Sequence, residues 1–390
     1  MYPVRRKTNA VKVGNIFIGS DFPVCVQSMA NTDTNNIEAS VNQAIKIIKT
    51  GAELVRFTTQ GIREAESLRL IKQKLVEKGY NTPLVADIHF NPAVAEVAAQ
   101  YVEKVRINPG NFIKSIKRTQ NTQNSYSDYT DAEFEQERLL LQEKFVHFLE
   151  ICTKHDTAVR IGVNHGSLSE RMMNRYGDTP EGMVESCMEL LRICREEHFD
   201  RIVISLKASN TVLMINAVRL LVQKMDFENF HFPLHLGVTE AGDGEDGRIK
   251  SAIGIGTLLA DGIGDTIRVS LSEEPENEIP VAFSILQATR TRISKTEYIA
   301  CPSCGRTLFD LQKTLEKIKK ATSHFVGLKI AVMGCIVNGV GEMADADYGY
   351  VGAGKGKISL YKGKTCIKKN IPEEFAVEKL MEIIEKNRNV

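Results

Sequence analysis

Three cysteines in the last quarter of the chain have the residue type and spacing of a metal or redox centre. Cys301 and Cys304 stand three positions apart in CPSCGRTLFD, and Cys335 follows in VMGCIVNG. Two thiolates at this spacing can bind one metal ion, bind an iron–sulfur cluster or bond to each other. A third thiolate favours a centre whose fourth ligand is not a cysteine, and Glu342 is the nearest candidate for that place. Its alternative role is that of a solvated loop carboxylate.

The elements around these cysteines predict a small α+β domain at residues 291–390. Cys301 and Cys304 lie just before the helical pattern GRTLFDLQKTLEKIKKATS, whose first backbone N–H groups would favour thiolates. Cys335 ends the buried strand GLKIAVMG, and the rest of the chain predicts short strands and a terminal helix. Cys366, in the strand-like TCIKK, is interpreted as a core residue.

Residues 1–290 predict a larger domain of alternating strands and helices. Amphipathic segments such as IEASVNQAIKIIKTG separate short β-rich runs, which implies parallel strands joined by right-handed crossovers. The eight runs lie at residues 23–29, 52–59, 83–90, 103–110, 158–166, 201–209, 234–242 and 265–272. Eight strands in this length match a (β/α)8 TIM barrel, so the predicted fold class is α/β, a barrel followed by the small domain.

Polar residues are concentrated where these strands end, which is the catalytic face of a barrel. Five of the eight ends carry a cation: Arg56, Arg106, Arg160, Lys207 and Arg268. Guanidinium groups suit bidentate contact with phosphate, so we expect a compact polyanionic substrate with two phosphates. Each cation taken singly could instead pair with a neighbouring carboxylate.

The same strand ends carry acids and uncharged polar residues. Asp87, His89 and Glu240 could be ion-pair partners of the cations or could transfer protons, and the sequence does not separate these roles. Glu240 lies in TEAGDGEDGR, a glycine-rich loop in which the backbone could approach a ligand closely. The uncharged polar residues at these ends include Asn164, Thr239 and Ser270.

The charge balance and the distribution of apolar residues argue against several classes of protein. Charged residues make up 25% of the chain, but the net charge is only +1, which argues against a general nucleic-acid or membrane binder. The N-terminus lacks the apolar core of a signal peptide and no long apolar run follows, so we expect a cytoplasmic protein. The polar segment at residues 114–136 is interpreted as a surface loop after the fourth strand.

Read together, CPSCGRTLFDLQ and VMGCIVNGVGEMADAD resemble the 4-hydroxy-3-methylbut-2-en-1-yl diphosphate synthase family of the methylerythritol phosphate pathway to isoprenoid precursors. The similarity extends through VRINPGNF, RIGVNHGSLS and LGVTEAGDGEDGRIKSAIGIGTLL, and so covers nearly the whole chain. The resemblance implies a [4Fe-4S] cluster. Its thiolate ligands would be Cys301, Cys304 and Cys335, and Glu342 would be the exchangeable fourth ligand.

The resemblance also implies a reaction. The substrate would be 2-C-methyl-D-erythritol 2,4-cyclodiphosphate, opened by two-electron reduction with loss of water, with flavodoxin or ferredoxin as an example of the electron donor. Glu240 matches a carboxylate of the family that handles protons. The diphosphate-binding positions of the family match Arg56, Arg106, Arg160, Asn164, Lys207, Thr239, Arg268 and Ser270.

One departure from the longer, plant-type relatives concerns assembly. Those relatives carry an extra domain between barrel and cluster domain, whereas here only a short stretch separates ILQATR from CPSCG. The similarity to two-domain bacterial enzymes therefore implies a head-to-tail homodimer in which each cluster domain caps the partner's barrel.

Two other functions fit the same residues. In the first, a zinc-stabilised, phosphate-binding barrel has no redox chemistry and its cysteines only brace the small domain. In the second, a pterin-binding or methyltransferase-like barrel uses the same cationic strand ends. A brown, oxygen-sensitive protein would distinguish the cluster enzyme from both.

Overall fold

The structure of the chain is a computed structural model that describes residues 4–115, 129–343 and 345–388. The chain divides into two units, Met1–Arg292 and Ile293–Val390. The first unit contains all the predicted barrel strands, and the second contains the three cysteines of interest. In the part of the chain that the structure describes, no helix has the length and apolar character needed to cross a lipid bilayer.

Eight parallel strands form the barrel of the first unit, as the sequence predicts. The strands of this unit are β1 (Val11–Val13), β2 (Ile16–Ile18), β3 (Cys25–Met29), β4 (Leu54–Thr59), β5 (Leu84–Ile88), β6 (Lys104–Ile107), β7 (Ala158–Asn164), β8 (Ile202–Lys207), β9 (His235–Leu236) and β10 (Thr266–Ile267). Their order in the sheet is β8-β7-β6-β5-β4-β3-β10-β9. A bridge between Ile204 and Leu234 joins the two ends of this order and nearly closes the barrel.

Helices follow the strands and pack around the barrel. They are α1 (Ile37–Lys49), α2 (Ile62–Glu77), α3 (Pro92–Ala98), α4 (Asp131–Lys154), α5 (Glu170–Tyr176), α6 (Pro180–Glu196), α7 (Thr211–Phe227), α8 (Gly244–Ala260) and α9 (Glu278–Ala288). Side chains at several strand-to-helix junctions fix the start of the helix. Asn36, Asn91 and Asn210, for example, each accept a hydrogen bond from a backbone N–H of the first turn.

The interpretation of residues 114–136 as a surface loop was wrong at its end, because helix α4 begins at Asp131. Thr130 and Glu133 form a capping box, in which each side chain accepts a hydrogen bond from the other residue's backbone N–H. This pair stabilises a helix start within a segment whose polar composition alone favours a loop. Residues 116–128 of the predicted loop lie outside the described residues.

The hairpin β1–β2 covers the amino ends of the barrel strands, which the sequence analysis did not foresee. Val11, Val13 and Ile18 form one buried cluster with Leu54 and Val85 at the starts of β4 and β5. Three-residue strands give little periodicity, so sequence alone does not reveal this hairpin. Because apolar residues fill this end, the barrel opens toward the carboxyl ends of its strands, and we call that end the barrel mouth.

The second unit is an α+β sandwich of one sheet and three helices, and it confirms the predicted fold class. Its strands are β11 (Glu297–Ala300), β12 (Lys329–Met333), β13 (Tyr348–Gly354), β14 (Lys357–Lys362) and β15 (Thr365–Pro372). The strands lie side by side in chain order, with β11, β12 and β13 parallel and the last two pairings antiparallel. Its helices are α10 (Leu311–Thr322), α11 (Ile336–Glu342) and α12 (Glu373–Arg388).

Candidate active site

The five predicted cations lie together inside the barrel mouth. Residues two apart on a strand face the same side. The register pairs Arg106 of β6 with Arg160 of β7, and Asp87 of β5 with Arg106. Four of the cations are buried and one is half-buried: Arg56, Arg106, Arg160 and Lys207, and then Arg268.

Asp87 is the carboxylate shared by two of these cations. Arg106 Nη1 donates to Asp87 Oδ1 at 3.0 Å, and Arg56 Nε lies 3.7 Å from Asp87 Oδ2. Arg106 also donates to the Gly162 carbonyl at 3.0 Å, and its Nη1 lies 3.0 Å from His89 Nε2. Burial alone would raise the pKa of Asp87, but Arg56 and Arg106 outweigh it and hold that pKa well below its usual range. Asp87 therefore stays ionised and orients both arginines.

Glu278 is a second buried carboxylate at the mouth, and the sequence analysis missed it. It is the first residue of α9 and accepts from Arg268 Nε at 3.2 Å and from Arg268 Nη2 at 2.7 Å. Ser28 Oγ donates to the same carboxylate at 2.9 Å. This two-point contact fixes the plane of the Arg268 guanidinium. The run SEEPENE offers several acids, and only the position at a helix start distinguishes Glu278 from the others.

Arg160 and Lys207 have no carboxylate partner among the described residues. Arg160 is 1% exposed, and its Nη1 donates to Ser205 Oγ at 2.9 Å, but its Nε and Nη2 lack a hydrogen-bond partner in the part of the chain that the structure describes. Lys207 Nζ lies 3.2 Å from His235 Nε2. Burial, followed by the positive charges of Arg160 and Arg56, lowers the pKa of Lys207 well below its ordinary value. Buried cations without a counter-charge are costly, so this interior is suited to receive an anionic ligand.

Lys104 lies two residues before Arg106 on β6, deeper in the barrel. It is fully buried and its Nζ has no hydrogen-bond partner in the described part of the chain. Burial, followed by repulsion from Arg160, lowers the pKa of Lys104 from 10.5 to about 7. Sequence gave no signal for this residue, because a lysine at the start of a strand is ordinarily exposed.

We expect the unliganded protein to become more stable as the pH rises from about 7 to about 8.5. Folded Lys104 has a pKa of about 7, whereas in the unfolded chain the pKa returns to about 10.4. In this window the unfolded chain therefore holds a proton that the folded chain has released. Stability increases with pH wherever the unfolded state binds more protons, so the free energy of unfolding should rise by about 1 kcal/mol or more.

Urea denaturation at pH 7.0, 7.8 and 8.5 of the unaltered protein and of Lys104→Met measures this effect, because the ionisation of unfolded thiols near pH 8.5 is the same in both and cancels in the comparison. Lys104→Met removes the titrating amine and should reduce the rise, although Lys207 contributes in the same direction. A rise of equal size in Lys104→Met would contradict the assignment.

The remaining predicted residues lie at the rim of the mouth. Asn164 is the last residue of β7, and Thr239 and Ser270 follow β9 and β10; all three are half-buried. Glu240 is exposed and has a φ of 52°, in the left-handed region that non-glycine residues rarely adopt. Such strained positions occur preferentially at functional sites. The structure thus brings the predicted barrel residues to one face.

Cys301 and Cys335 lie at the same end of the sheet in the second unit. They follow β11 and β12, which are parallel neighbours with Ala300 opposite Val332. The backbone N–H of Gly334 donates to Cys301 Sγ at 3.1 Å. Hydrogen bonds of this kind stabilise thiolates that bind metals. Cys335 is buried and Cys301 is half-buried.

The environment of Cys304 differs from the prediction. Asp310 caps α10 by accepting from Lys313 N at 3.1 Å, so a carboxylate and not a thiolate meets the first turn of that helix. The exposed Cys304 thiol instead contacts Arg306, whose backbone N–H and then side chain lower the pKa of Cys304. Arg306 also interacts electrostatically with Cys335.

Glu342 is the last residue of the short helix α11 and is exposed, whereas the sequence analysis placed it on a loop. The glycines of GCIVNGVGE favoured a loop, but α11 forms directly after Cys335. Arg306 interacts electrostatically with Glu342 as well as with Cys304 and Cys335. Across the described ranges, no three His, Cys, Asp or Glu side chains stand close enough to hold a metal ion without rearrangement.

Fold and site together define an α/β protein with a cationic (β/α)8 barrel and a small thiol-bearing α+β unit. The family models agree with this description. The GcpE TIM-barrel domain matches residues 8–283 and the GcpE protein C-terminal domain matches residues 297–386. The chain belongs to the GcpE family.

Curated relatives carry the name of one enzyme. The 4-hydroxy-3-methylbut-2-en-1-yl diphosphate synthase (ferredoxin) of Synechococcus sp. is 54% identical over 384 residues, covering 98% of this chain and 94% of the relative. The flavodoxin-type synthase of Parabacteroides distasonis is 42% identical, covering 98% of each chain in an alignment of 604 residues. That alignment is much longer than the 390 residues of this chain, so the second relative contains inserted residues that this chain lacks. These relatives do not favour a zinc-braced or pterin-binding barrel.

Proposed function

We propose that this chain catalyses the reductive ring opening and dehydration of 2-C-methyl-D-erythritol 2,4-cyclodiphosphate to 4-hydroxy-3-methylbut-2-en-1-yl diphosphate. Two electrons and two protons enter, a ring C–O bond to phosphate breaks, and one hydroxyl leaves as water. Support comes from family membership and from one observation above all: Arg160 is buried with two nitrogen atoms unpartnered. A cyclic diphosphate would supply the missing acceptors and the missing negative charge.

The barrel residues bind and orient this substrate. Arg160 and Lys207 lack carboxylate partners among the described residues, so their nitrogen atoms are available to phosphate oxygens. Arg56 and Arg106 are held by Asp87, and Arg268 is held by a bidentate contact with Glu278. Preorganised cations lose little entropy when the ligand binds, and they stabilise the negative charge that the released diphosphate acquires. Asn164, Thr239 and Ser270 supply hydrogen bonds at the rim.

Glu240 is the candidate for proton transfer at the mouth. It is exposed, and its side chain forms no hydrogen bond or ion pair in the described part of the chain. A carboxyl group at the rim can exchange protons with water and deliver one to a leaving hydroxyl. The left-handed backbone conformation of Glu240 fixes the direction in which its side chain projects from the backbone.

The second unit would hold a [4Fe-4S] cluster through Cys301, Cys304 and Cys335, with Glu342 as the fourth ligand. The donor set fits, because thiolates are the ligands of such clusters, because Gly334 N–H donates to Cys301 Sγ and because Arg306 lowers the pKa of Cys304. Since no three such ligands stand together among the described residues, cluster binding would have to draw the thiols together, which couples binding to local ordering. A bound cluster supplies electrons one at a time.

The electron donor would be a flavodoxin or a ferredoxin, the carriers that the names of the relatives mention. We place the reaction in the cytoplasm. All eight cysteines are free thiols, including the exposed Cys304, which suits a reducing compartment.

A head-to-tail homodimer completes the proposal, since the relative from Synechococcus sp. aligns without the long insertion. In such a dimer the cluster unit of one chain would reach the barrel of its partner. Small-angle scattering of the cluster-loaded protein should give the mass of two chains. A monomer at the concentration of the activity assay would rule out this arrangement.

The function itself is tested by anaerobic purification, metal analysis and assay. We expect about four iron and four sulfide per chain, together with conversion of the cyclic diphosphate when a chemical reductant supplies electrons. One zinc per chain without colour, reproduced after attempted cluster reconstitution, would overturn the proposal.

A further inference from the structure

Positive charge is concentrated in the unit that carries the cysteines. Residues 293–390 contain 16 Lys and Arg against 11 Asp and Glu, a net charge of +5, whereas the whole chain has a net charge of +1. The barrel unit is therefore acidic overall, in spite of its cationic interior. An excess of one sign on a small unit gives it a field that attracts partners of the opposite sign.

Four of these lysines lie in two turns of the same Lys-Gly-Lys sequence, one at each end of β14. Lys355-Gly356-Lys357 precedes and begins the strand, and Lys362-Gly363-Lys364 ends and follows it. Each central glycine has a positive φ, 67° for Gly356 and 53° for Gly363, as tight turns require. Strand β14 is six residues long, so the two turns are about 20 Å apart.

The first of these turns lies at the same end of the sheet as the thiols. Strand β13 runs parallel to β12, with Val351 opposite Met333, so both strands end on the same side. Gly352 packs so closely on Gly334 that a Cβ at position 352 would lie 2.4 Å from the Gly334 carbonyl oxygen. Lys355 follows three residues later, at most about 11 Å further along the chain.

Both lysines of this turn are available to a partner. Lys355 and Lys357 are exposed, and neither forms an ion pair with a described carboxylate. The nearest acid by backbone contact is Glu373, whose N–H donates to the Gly356 carbonyl at 3.1 Å and whose side chain is half-buried. Arg306, beside Cys304, adds a third cation at this end.

Exposed apolar side chains lie at the same end of the sheet as these cations. Ile336 and Val337 come directly after Cys335 and are 55% and 67% exposed. An apolar centre with a charged rim is the usual anatomy of a protein interface, and electron-transfer complexes use small interfaces of this kind. We call Arg306, Ile336, Val337, Lys355 and Lys357 the thiol-end surface.

The lysines of the first turn are not explained by protection of a sheet edge. Lysines on an exposed edge strand prevent pairing with other chains, and Lys364 and Lys369 serve that purpose beside or on β15. Lys355 and Lys357, however, join β13 to β14, and both of these strands have a neighbour on each side. The cations at this turn therefore need another explanation.

We propose that the thiol-end surface docks an acidic electron-carrier protein. This inference rests on the proposed function, since it assumes a redox centre at the thiols. Complementary charge raises the rate of encounter, and the apolar centre seats the carrier over the site of electron entry. The complex is weak and transient, so the carrier leaves after it has delivered one electron, and the thiol end is then free to meet the partner's barrel in the proposed homodimer.

The test uses cluster-loaded protein, two reductants and two matched variants. Lys355→Glu with Lys357→Glu reverses the turn at the thiol end, and Lys362→Glu with Lys364→Glu makes the same charge change at the far end. Stopped-flow absorbance follows cluster reduction by a reduced flavodoxin of acidic sequence and, separately, by photoreduced deazaflavin, which is small and uncharged. Each is measured at low and at high salt.

We expect the thiol-end variant to be reduced by flavodoxin about tenfold more slowly at low salt, with the difference shrinking as salt increases. Its reduction by deazaflavin should be unchanged, and the far-end variant should lose less than about threefold with flavodoxin. Equal losses in the two variants, no loss in either, or a higher KM for the cyclic diphosphate with deazaflavin as donor would each overturn the docking assignment. Failure of the proposed function would show itself separately, as absence of turnover by the unaltered protein with deazaflavin.

Discussion

Cys335→Ser should yield protein with little or no [4Fe-4S] cluster and no reductive activity. A serine hydroxyl is a hard donor that seldom replaces a thiolate, and Cys335 is the buried member of the three cysteines. Iron and sulfide analysis of anaerobically purified protein, with an absorption spectrum before and after reductant, measures the loss.

Cys366→Ser is the matched control. Cys366 lies in the same unit, on strand β15, and its thiol donates to the Lys368 carbonyl at 3.7 Å. This variant should retain the iron content and the colour of the unaltered protein. Full iron content in Cys335→Ser, or equal loss in both variants, would remove Cys335 from the ligand set.

Arg160→Met should increase stability and abolish function. Methionine has a similar length and no charge, so it relieves the repulsion of Arg160 by Arg56 and Arg106 and the cost of burying unpartnered nitrogen atoms. The free energy of unfolding of the barrel should rise by about 1 kcal/mol or more. Loss of an arginine contact to phosphate should lower kcat/KM for the cyclic diphosphate by at least about 30-fold.

Arg171→Met is the control for Arg160→Met, because it removes a buried arginine that has a carboxylate partner and is outside the proposed substrate site. Arg171 is also a buried arginine of the barrel unit, but its Nη1 donates to Glu189 Oε1 at 3.0 Å. Removing it leaves a carboxylate without its partner, so calorimetry should show a lower unfolding temperature, the opposite of the change in Arg160→Met. Lower stability in both variants would mean that Arg160 is structural.

The barrel could be predicted from the sequence because each of its strands has a local sequence pattern. Each strand is a short apolar run, and a parallel barrel sends the residue at every strand end to one face, so Arg56 and Lys207 could be placed together without coordinates. One partner of these cations, Asp87, could be predicted in the same way because it stands at a strand end, but the partner of Arg268 could not. Glu278 reaches Arg268 from a helix start after the last barrel strand, and several neighbouring acids were equal candidates until the chain was folded.

In the second unit, too, the positions of functional residues could be predicted from the sequence, but their contacts could not. The spacing of Cys301 and Cys304 and the strand before Cys335 predicted where the thiols lie. The contact of Arg306 with Cys304 was not predictable, because the helix that follows the motif is capped by Asp310. Long-range packing, such as that of Gly352 on Gly334, leaves no periodic trace in the sequence.

The β1–β2 hairpin has a consequence for turnover. Because Val11, Val13 and Ile18 fill the amino end, the barrel as described by the structure opens only at its mouth. A linear diphosphate formed inside must leave through the opening by which the cyclic one arrived, and both compete for the same cations. Product should therefore act as a competitive inhibitor, and flux should depend on how quickly the next enzyme in line removes it.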